Sequence, residues 1–327
     1  MTSNFTLSTT PTKEQWVEVR GWIEGMGWSG VDWTFFDMVT QGHYSDSVRP
    51  LFALDEKGAA AGAVVHFEYP NVSMVYIGMF AVREGLRGRG VGKLVWNAMM
   101  ERLPKDVPIR IRSTNDTDLY GGQLTTTIPM TDYYRAKGFA HSGRPAIGYL
   151  ANAAALIEVL IALQLDAPRD AVNFEPLNEK NLPAILHYDS EVTRTDRSKF
   201  LRVYFAYSYI GTCVAVGQNG KCAGYGSVTP TGDNGKFKLA PIYADDASIA
   251  NSLLLRLLEA LEDPSTTTLF AFVYRETGGE RGMKPVFEKA GARIGIAVDT
   301  SYTREFSEVC DFSKVFIAMA HNCAPDW

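Results

Sequence analysis

Gly85, Gly88, Gly90 and Gly92 alternate with Arg87, Arg89 and Lys93 in one short run. Residues of these types at this spacing can hold an anion. Residues 76–82, before the run, are mostly apolar and β-prone. After it, Val91, Leu94, Val95, Ala98 and Met99 recur at helical spacing. A strand that enters a helix through such a loop leaves backbone N–H groups pointing outward at the helix start. Those orphan donors and the helix dipole both favour a phosphate. Glycine lets the anion come close and permits φ > 0, and arginine adds donors suited to phosphate. Two familiar phosphate loops do not fit. A G-x-G-x-x-G fingerprint would need glycine where Lys93 or Val95 stands, and a P-loop would need a hydroxyl residue where Leu94 follows Gly92-Lys93.

A second constellation lies downstream, in Tyr133-Tyr134-Arg135-Ala136-Lys137-Gly138-Phe139. A helix there would present Tyr134, and Gly138 would stop it in a left-handed cap. Phe139 would then start a buried strand.

The pattern Arg87-x-x-Gly90-x-Gly92, after a strand that ends in Val82, resembles the acetyl-coenzyme A loop of the GNAT acetyltransferase superfamily. The tyrosine four residues before Gly138-Phe139 is similar to a second signature of that family. The resemblance implies that the main chain of Phe80, Ala81 and Val82 pairs with the pantetheine arm of acetyl-CoA. It implies that the loop through Arg87, Gly88, Arg89, Gly90, Val91, Gly92 and Lys93 holds the pyrophosphate. Tyr134 would protonate the departing thiolate. A structural tyrosine with its ring packed is the alternative for that residue.

The elements that must position these residues can be read along the chain. Residues 5–8 suit an edge strand, and Thr10 or Thr12 could cap a helix over residues 14–25 with Trp16, Val17, Val19 and Trp22 on its apolar side. The aromatic stretch 27–38 follows; the resemblance places it over the acceptor cleft, and core packing is the other reading. Strands at 51–54, 61–68 and 73–82 form a meander. The helix after the anion loop ends before Pro104, residues 107–112 make a strand, and 113–130 read as a loop.

At 327 residues the chain has room for about two domains of ~100–200 residues each. Apolar content of 46% and charged content of 21% are those of an ordinary soluble protein. The net charge of −5 argues against nucleic acid, whose binding leaves a basic stripe. Cys213, Cys222, Cys310 and Cys323 form no C-x-x-C pair and have no histidine cluster, so no metal is expected and a reducing compartment is the simpler reading. The first residues lack the basic and apolar regions of a signal peptide. The most apolar stretch, 153–165, is too short to span a bilayer and contains Glu158. The expectation is a cytoplasmic protein with no membrane or nucleic-acid partner, as monomer or homodimer.

Residues 151–164 form a strong helix former that breaks at Asp166-Ala167-Pro168. The expected division is 1–150, a helical linker 151–170, and 171–327. The second part repeats the first: a strand at 172–174, helices at 179–192 and 196–207, and strands at 212–216, 221–228 and 236–243. A helix at 249–261, a strand at 267–273 and a helix at 283–290 follow, then strands at 293–298 and 314–320. This suggests a duplication with a period of about 150 residues. The fold class expected is α/β (α+β), two tandem GNAT folds, each a mixed, mostly antiparallel sheet flanked by helices. The chemistry does not repeat. Asp245-Asp246 stand where a phosphate would approach, and Phe287 stands four residues before Gly291 in the place of Tyr134. By resemblance this half is a GNAT-like domain with a degenerate loop. Asp189 and Arg197 read as a local ion pair in preference to substrate contacts.

By resemblance, the chain transfers acetyl from acetyl-CoA to a primary amine by direct attack. Such attack needs a base or an ordered water that reaches one. Glu68 is the first candidate, with Asp32 and His66 behind it. The aromatics and the net negative charge suit a small cationic amine; protein N-termini and lysines are alternatives. A chain that binds acetyl-CoA without catalysis, as sensor or scaffold, is the reading from a different class.

Overall fold

The computed structural model describes residues 4–25, 33–43, 46–68, 74–113, 130–164, 172–207, 211–217, 220–231 and 235–319. In chain order the first part gives β1 (Thr6–Ser8), α1 (Lys13–Gly25), α2 (Trp33–Thr40), β2 (Val48–Leu54), β3 (Ala60–Glu68) and β4 (Val75–Val82). A 3₁₀ turn at Glu84–Leu86 leads into α3 (Val91–Arg102), followed by β5 (Ile109–Ser113), α4 (Met130–Ala136), β6 (His141–Ser142), β7 (Ala146–Asn152) and α5 (Ala153–Gln164). The second part gives β8 (Val172–Pro176), α6 (Leu182–Thr193), α7 (Ser198–Ala206), β9 (Gly211–Gly217), β10 (Cys222–Pro230) and β11 (Lys236–Ala244). It closes with α8 (Ala247–Glu259), β12 (Thr268–Tyr274), α9 (Gly278–Lys289), β13 (Arg293–Tyr302) and β14 (Val315–Ile317).

Local chemistry explains many of these boundaries. Thr12 Oγ1 accepts the Gln15 amide at 3.3 Å while Gln15 Oε1 accepts the Thr12 amide at 2.9 Å, a reciprocal cap that starts α1. Between β2 and β3, Asp55 Oδ1 accepts from the amides of Lys57 and Ala59, and Gly58 supplies φ +77°. Gly138, at φ +98°, ends α4, and the Phe139 amide reaches back to Tyr134 O at 3.1 Å.

The strands join in the order β1-β2-β3-β4-β5-β13-β7-β12-β11-β10-β9-β8. Among the described residues only β4–β5 and β11–β12 pair in parallel. The sheet is therefore mixed and mostly antiparallel, flanked by helices. The last long strand of each part lies with the other part. β7 pairs with β12 along its whole length, while Asp299–Tyr302 of β13 pair with Ser113–Arg110 of β5. The sheet runs unbroken from one part into the other through the β13–β7 pair.

Among the described residues three apolar cores form around this sheet. One lies under α3 and α4 and includes Val64, Ile77, Val95, Trp96, Ile111 and Tyr134. A second, under α5, α8 and α9, includes Leu156, Leu254 and Phe287. The third lies on the opposite face and contains residues of both parts, from Trp16 and Phe36 to Tyr204 and Tyr225. Trp16 is enclosed by the rings of Phe35, Phe36 and Phe52, each an edge-on contact worth about 0.5–1.5 kcal/mol beyond its buried area.

Several expectations change. Val17 is about half exposed, and Ile23 takes the buried place instead, because α1 packs along Trp16, Val19 and Ile23. Of the aromatic stretch, Trp33, Phe35 and Phe36 fill the core from α2, while residues 26–32 lie outside the described residues. Phe139 is buried but precedes the strand rather than starting it. α9 begins at Gly278, capped by Thr277 Oγ1 at 3.1 Å from the Gly279 amide, five residues earlier than expected; the two glycines hid its start. The final strand does not end the sheet but pairs with β11 inside it. The expected loop at 113–130 falls mostly outside the described residues.

Candidate active site

β4 carries the site. His66 stands opposite Ile77 and Val65 opposite Met79, so Gly78 is an extra, unopposed residue in β4. Such a bulge twists the strand away from its neighbour. On the other edge β4 pairs with β5 only from Val75–Ile109 to Ile77–Ile111, after which the two parallel strands separate. Along that opening no strand pairs with β4 among the described residues. The Arg83 amide donates to Ala61 O at 3.0 Å, which fixes the alternation of the β3–β4 ladder. Ala81 thus exchanges its main-chain bonds with Ala63, and the peptide groups of Phe80 and Val82 face the opening. Of these, Val82 O accepts Arg87 Nε at 3.3 Å.

The strand end is held by Arg83 Nη2, which reaches Asp55 Oδ2 at 2.7 Å. That partner keeps the Asp55 carboxyl below the usual carboxylate range. The chain then turns through Gly88 and Gly90 at φ +75° and +88°. Gly90 is the N-cap of α3, and no side chain caps that helix among the described residues. The first amide to bond back is Leu94, onto Gly90 O at 2.9 Å. The amides of Val91, Gly92 and Lys93 precede it and have no carbonyl one turn behind them. Arg87, Gly88, Arg89, Gly90 and Lys93 are exposed around this open helix start. Gly92 packs on the strand: a Cβ there would lie 3.3 Å from Val82 Cγ2 and 3.4 Å from Phe80 Cζ. The arrangement fits an anion bound at the helix end, with an extended chain along Phe80 and Val82.

Tyr134 is buried in α4, its ring stacked on Trp96 of α3 with centroids 5.4 Å apart. Phe80 meets the same indole at 5.6 Å. The tyrosine, the loop helix and β4 therefore share one aromatic cluster. Burial, with Tyr133 beside it, pushes the Tyr134 hydroxyl pKa well above its ordinary value.

Glu68 ends β3 opposite Val75, at the far end of β4 from the loop. It accepts His66 Nε2 at 3.0 Å, and Arg49 lies 3.9 Å from its other oxygen. The bond to His66, with the charge of Arg49 nearby, holds the Glu68 carboxyl below its usual value. His66 is buried beside the bulge, and its Nδ1 has no hydrogen-bond partner among the described residues. Asp32 lies outside the described residues. Sequence reading passed over Trp96, whose helical spacing reads only as core, and Arg83, which looks like one more loop cation.

The described residues of the second part lack these features. Asp246 Oδ1 caps α8 through the Ile249 amide at 2.9 Å. Phe287 stacks on Tyr149, with centroids 5.3 Å apart. Asp189 and Arg197 are a fully buried ion pair, Nε to Oδ1 at 3.0 Å. Tyr225 donates to the same carboxylate, and Arg197 also reaches Tyr243 Oη at 3.4 Å. They serve the core, as expected from sequence. Among the described residues no group of side chains could hold a metal ion, and no helix is long and apolar enough to cross a membrane.

Residues 16–117 match the acetyltransferase (GNAT) family, and residues 185–269 match an acetyltransferase (GNAT) domain. An uncharacterized Caenorhabditis elegans protein is 24% identical over 323 residues, covering 97% of this chain and 96% of that protein. A Pyrococcus horikoshii protein provisionally described as an acetyltransferase shares the fold with a TM-score of 0.63 at 14% identity, over 99% of this chain and 96% of that one. A tandem GNAT protein from the clavulanic acid biosynthesis pathway does so with a TM-score of 0.62 at 12% identity, over 93% and 99%. With one family match in each half of the chain and a sheet like that of tandem relatives, this chain belongs to the GNAT acetyltransferases as a tandem GNAT protein.

Proposed function

We propose that this protein transfers an acetyl group from acetyl-CoA to the primary amine of a small molecule, by direct attack in a ternary complex formed in its first half. The observation that carries the reading is the uncapped start of α3 behind two positive-φ glycines, with Tyr134 stacked on that same helix. Acetyl-CoA, when bound, supplies an activated thioester. The amides of Val91, Gly92 and Lys93 offer donors to its pyrophosphate, with Arg87 and Arg89 exposed nearby. The peptide groups of Phe80 and Val82 offer an edge to an extended arm, as a sheet accepts an added strand. Tyr134 keeps its proton at neutral pH, because burial disfavours its anion, and so can act as the proton donor.

For the base, Glu68 works through His66. The carboxylate stays ionised and binds Nε2, which fixes the ring and leaves buried Nδ1 as the proton acceptor beside the bulge. A carboxylate on one ring nitrogen sets which nitrogen carries the proton and leaves the other open to accept one. The net charge of −5 favours a cationic amine as acceptor.

Calorimetry of acetyl-CoA with the wild type and Gly90→Glu, followed by thiol release over a panel of amines, tests the proposal. One-site binding that is lost in Gly90→Glu, with amine-dependent thiol release that falls in Tyr134→Phe, is the expected result. Binding without thiol release from any amine would replace it with a sensor or scaffold.

A further inference from the structure

The two halves treat the same opening differently. β11 and β12 pair in parallel only over Lys236–Lys238 and Thr268–Phe270, and then part as β4 and β5 do. In the second half β14 lies in the gap. Ile317 stands opposite Ile242 and Val315 opposite Tyr243. The Ala244 amide donates to Lys314 O at 3.0 Å, and on the other wall the Ala318 amide donates to Phe272 O at 2.9 Å. The chain's own backbone thus bridges both sides of the opening.

α9 is shaped to admit this strand. A Cβ at Gly278 would collide with Ser313 O, at Gly279 with Phe316 O, and at Gly282 with the Phe316 ring. The Gly278 amide donates to Phe312 O at 2.9 Å. The helix start is closed as well: Asp246 places its own carboxylate on the Ile249 amide at 2.9 Å. Asp245 accepts Lys314 Nζ at 2.8 Å and Tyr188 Oη at 3.0 Å, so the segment that fills the gap also neutralises the loop beside it.

We infer that β14 and Asp246 are built-in surrogates for an extended thioester arm and its phosphate. They bar the second half from acyl-CoA and leave each chain one such site, in the first half. The count of one rests on the function proposed above; the closure of the second half does not. The plug is a fixed part of the fold. The Asp311 amide donates to Val192 O at 2.7 Å, and Phe312 packs on Tyr274 at 5.4 Å. Arg144, from the first half, lies 4.5 Å over the Phe312 ring and pairs with Glu308 at 3.2 Å.

Hydrogen exchange read by mass spectrometry, together with calorimetry, tests this. In the unliganded protein the amides of Ala244 and Ala318 should exchange as slowly as those of the central strands. Saturating acetyl-CoA should bind at one equivalent and slow exchange only within residues 78–95. Rapid exchange over 315–318, two bound equivalents, or any acetyl-CoA-dependent change in 240–248 or 311–319, in the wild type or in Gly90→Glu, overturns the inference. Slow exchange over 315–318 with no acetyl-CoA bound anywhere would uphold the closure and defeat the acetyltransferase reading.

Discussion

The rings of Tyr134 and Trp96 lie 5.4 Å apart with their planes 28° from parallel, so the proposed proton donor rests on the helix whose N-terminus is the proposed anion site. A change in either residue should be felt by the other. Tyr134→Phe keeps the stack and removes only the hydroxyl. It should lower kcat by roughly 10²-fold or more, as loss of a general acid does, with little change in acetyl-CoA affinity or Tm. Tyr134→Ala should also cost about 3–5 kcal/mol of stability, because it empties a buried aromatic position. Steady-state kinetics beside urea melts separates the two.

Gly90 sits at φ +88° with open space where a Cβ would go. Gly90→Ala should therefore cost about 1–2 kcal/mol through backbone strain alone, with no steric clash. Gly90→Glu adds a carboxylate beside the free amides and should weaken acetyl-CoA at least tenfold, as read by calorimetry.

The Asp189–Arg197 pair is wholly buried and shared with Tyr225 and Tyr243. Asp189→Asn leaves the guanidinium without its counter-charge and should destabilise the protein by about 3–5 kcal/mol. If the residual folded protein turns over acetyl-CoA at the wild-type rate, the pair is structural; a selective loss of kcat in folded protein would make it part of the site.

Alkaline stability follows from burial. Folding raises the hydroxyl pKa of Tyr134, Tyr188 and Tyr302, chiefly through desolvation. A raised folded pKa means that the contribution is complete below the unfolded value of about 10 and is lost as pH climbs towards the folded value, because the unfolded chain releases protons the native one keeps. Tm should decline above about pH 10. Tyr302→Phe should flatten that decline relative to the wild type, in thermal melts from neutral pH upward.

The amino-acid sequence determined the local parts of this protein. The glycine and arginine spacing around Gly88 and Gly90, the stop at Gly138 and the cap at Thr12 are short-range matters of backbone freedom and neighbouring side chains, so they were legible without coordinates. Periodicity likewise located most strands and helices, and the loss of a basic glycine loop at Asp245-Asp246 marked the second half as different. Tertiary structure alone decided which strands became neighbours. That β13 lies beside β5, that β7 lies beside β12, and that β14 fills the gap between β11 and β12 depends on contacts between residues far apart in the chain. An apolar strand such as Val315–Ile317 reads the same in sequence whether it ends a sheet or plugs one. Its place was fixed by the collision-free path past Gly278, Gly279 and Gly282, and by the backbone bonds waiting on both sides of the opening.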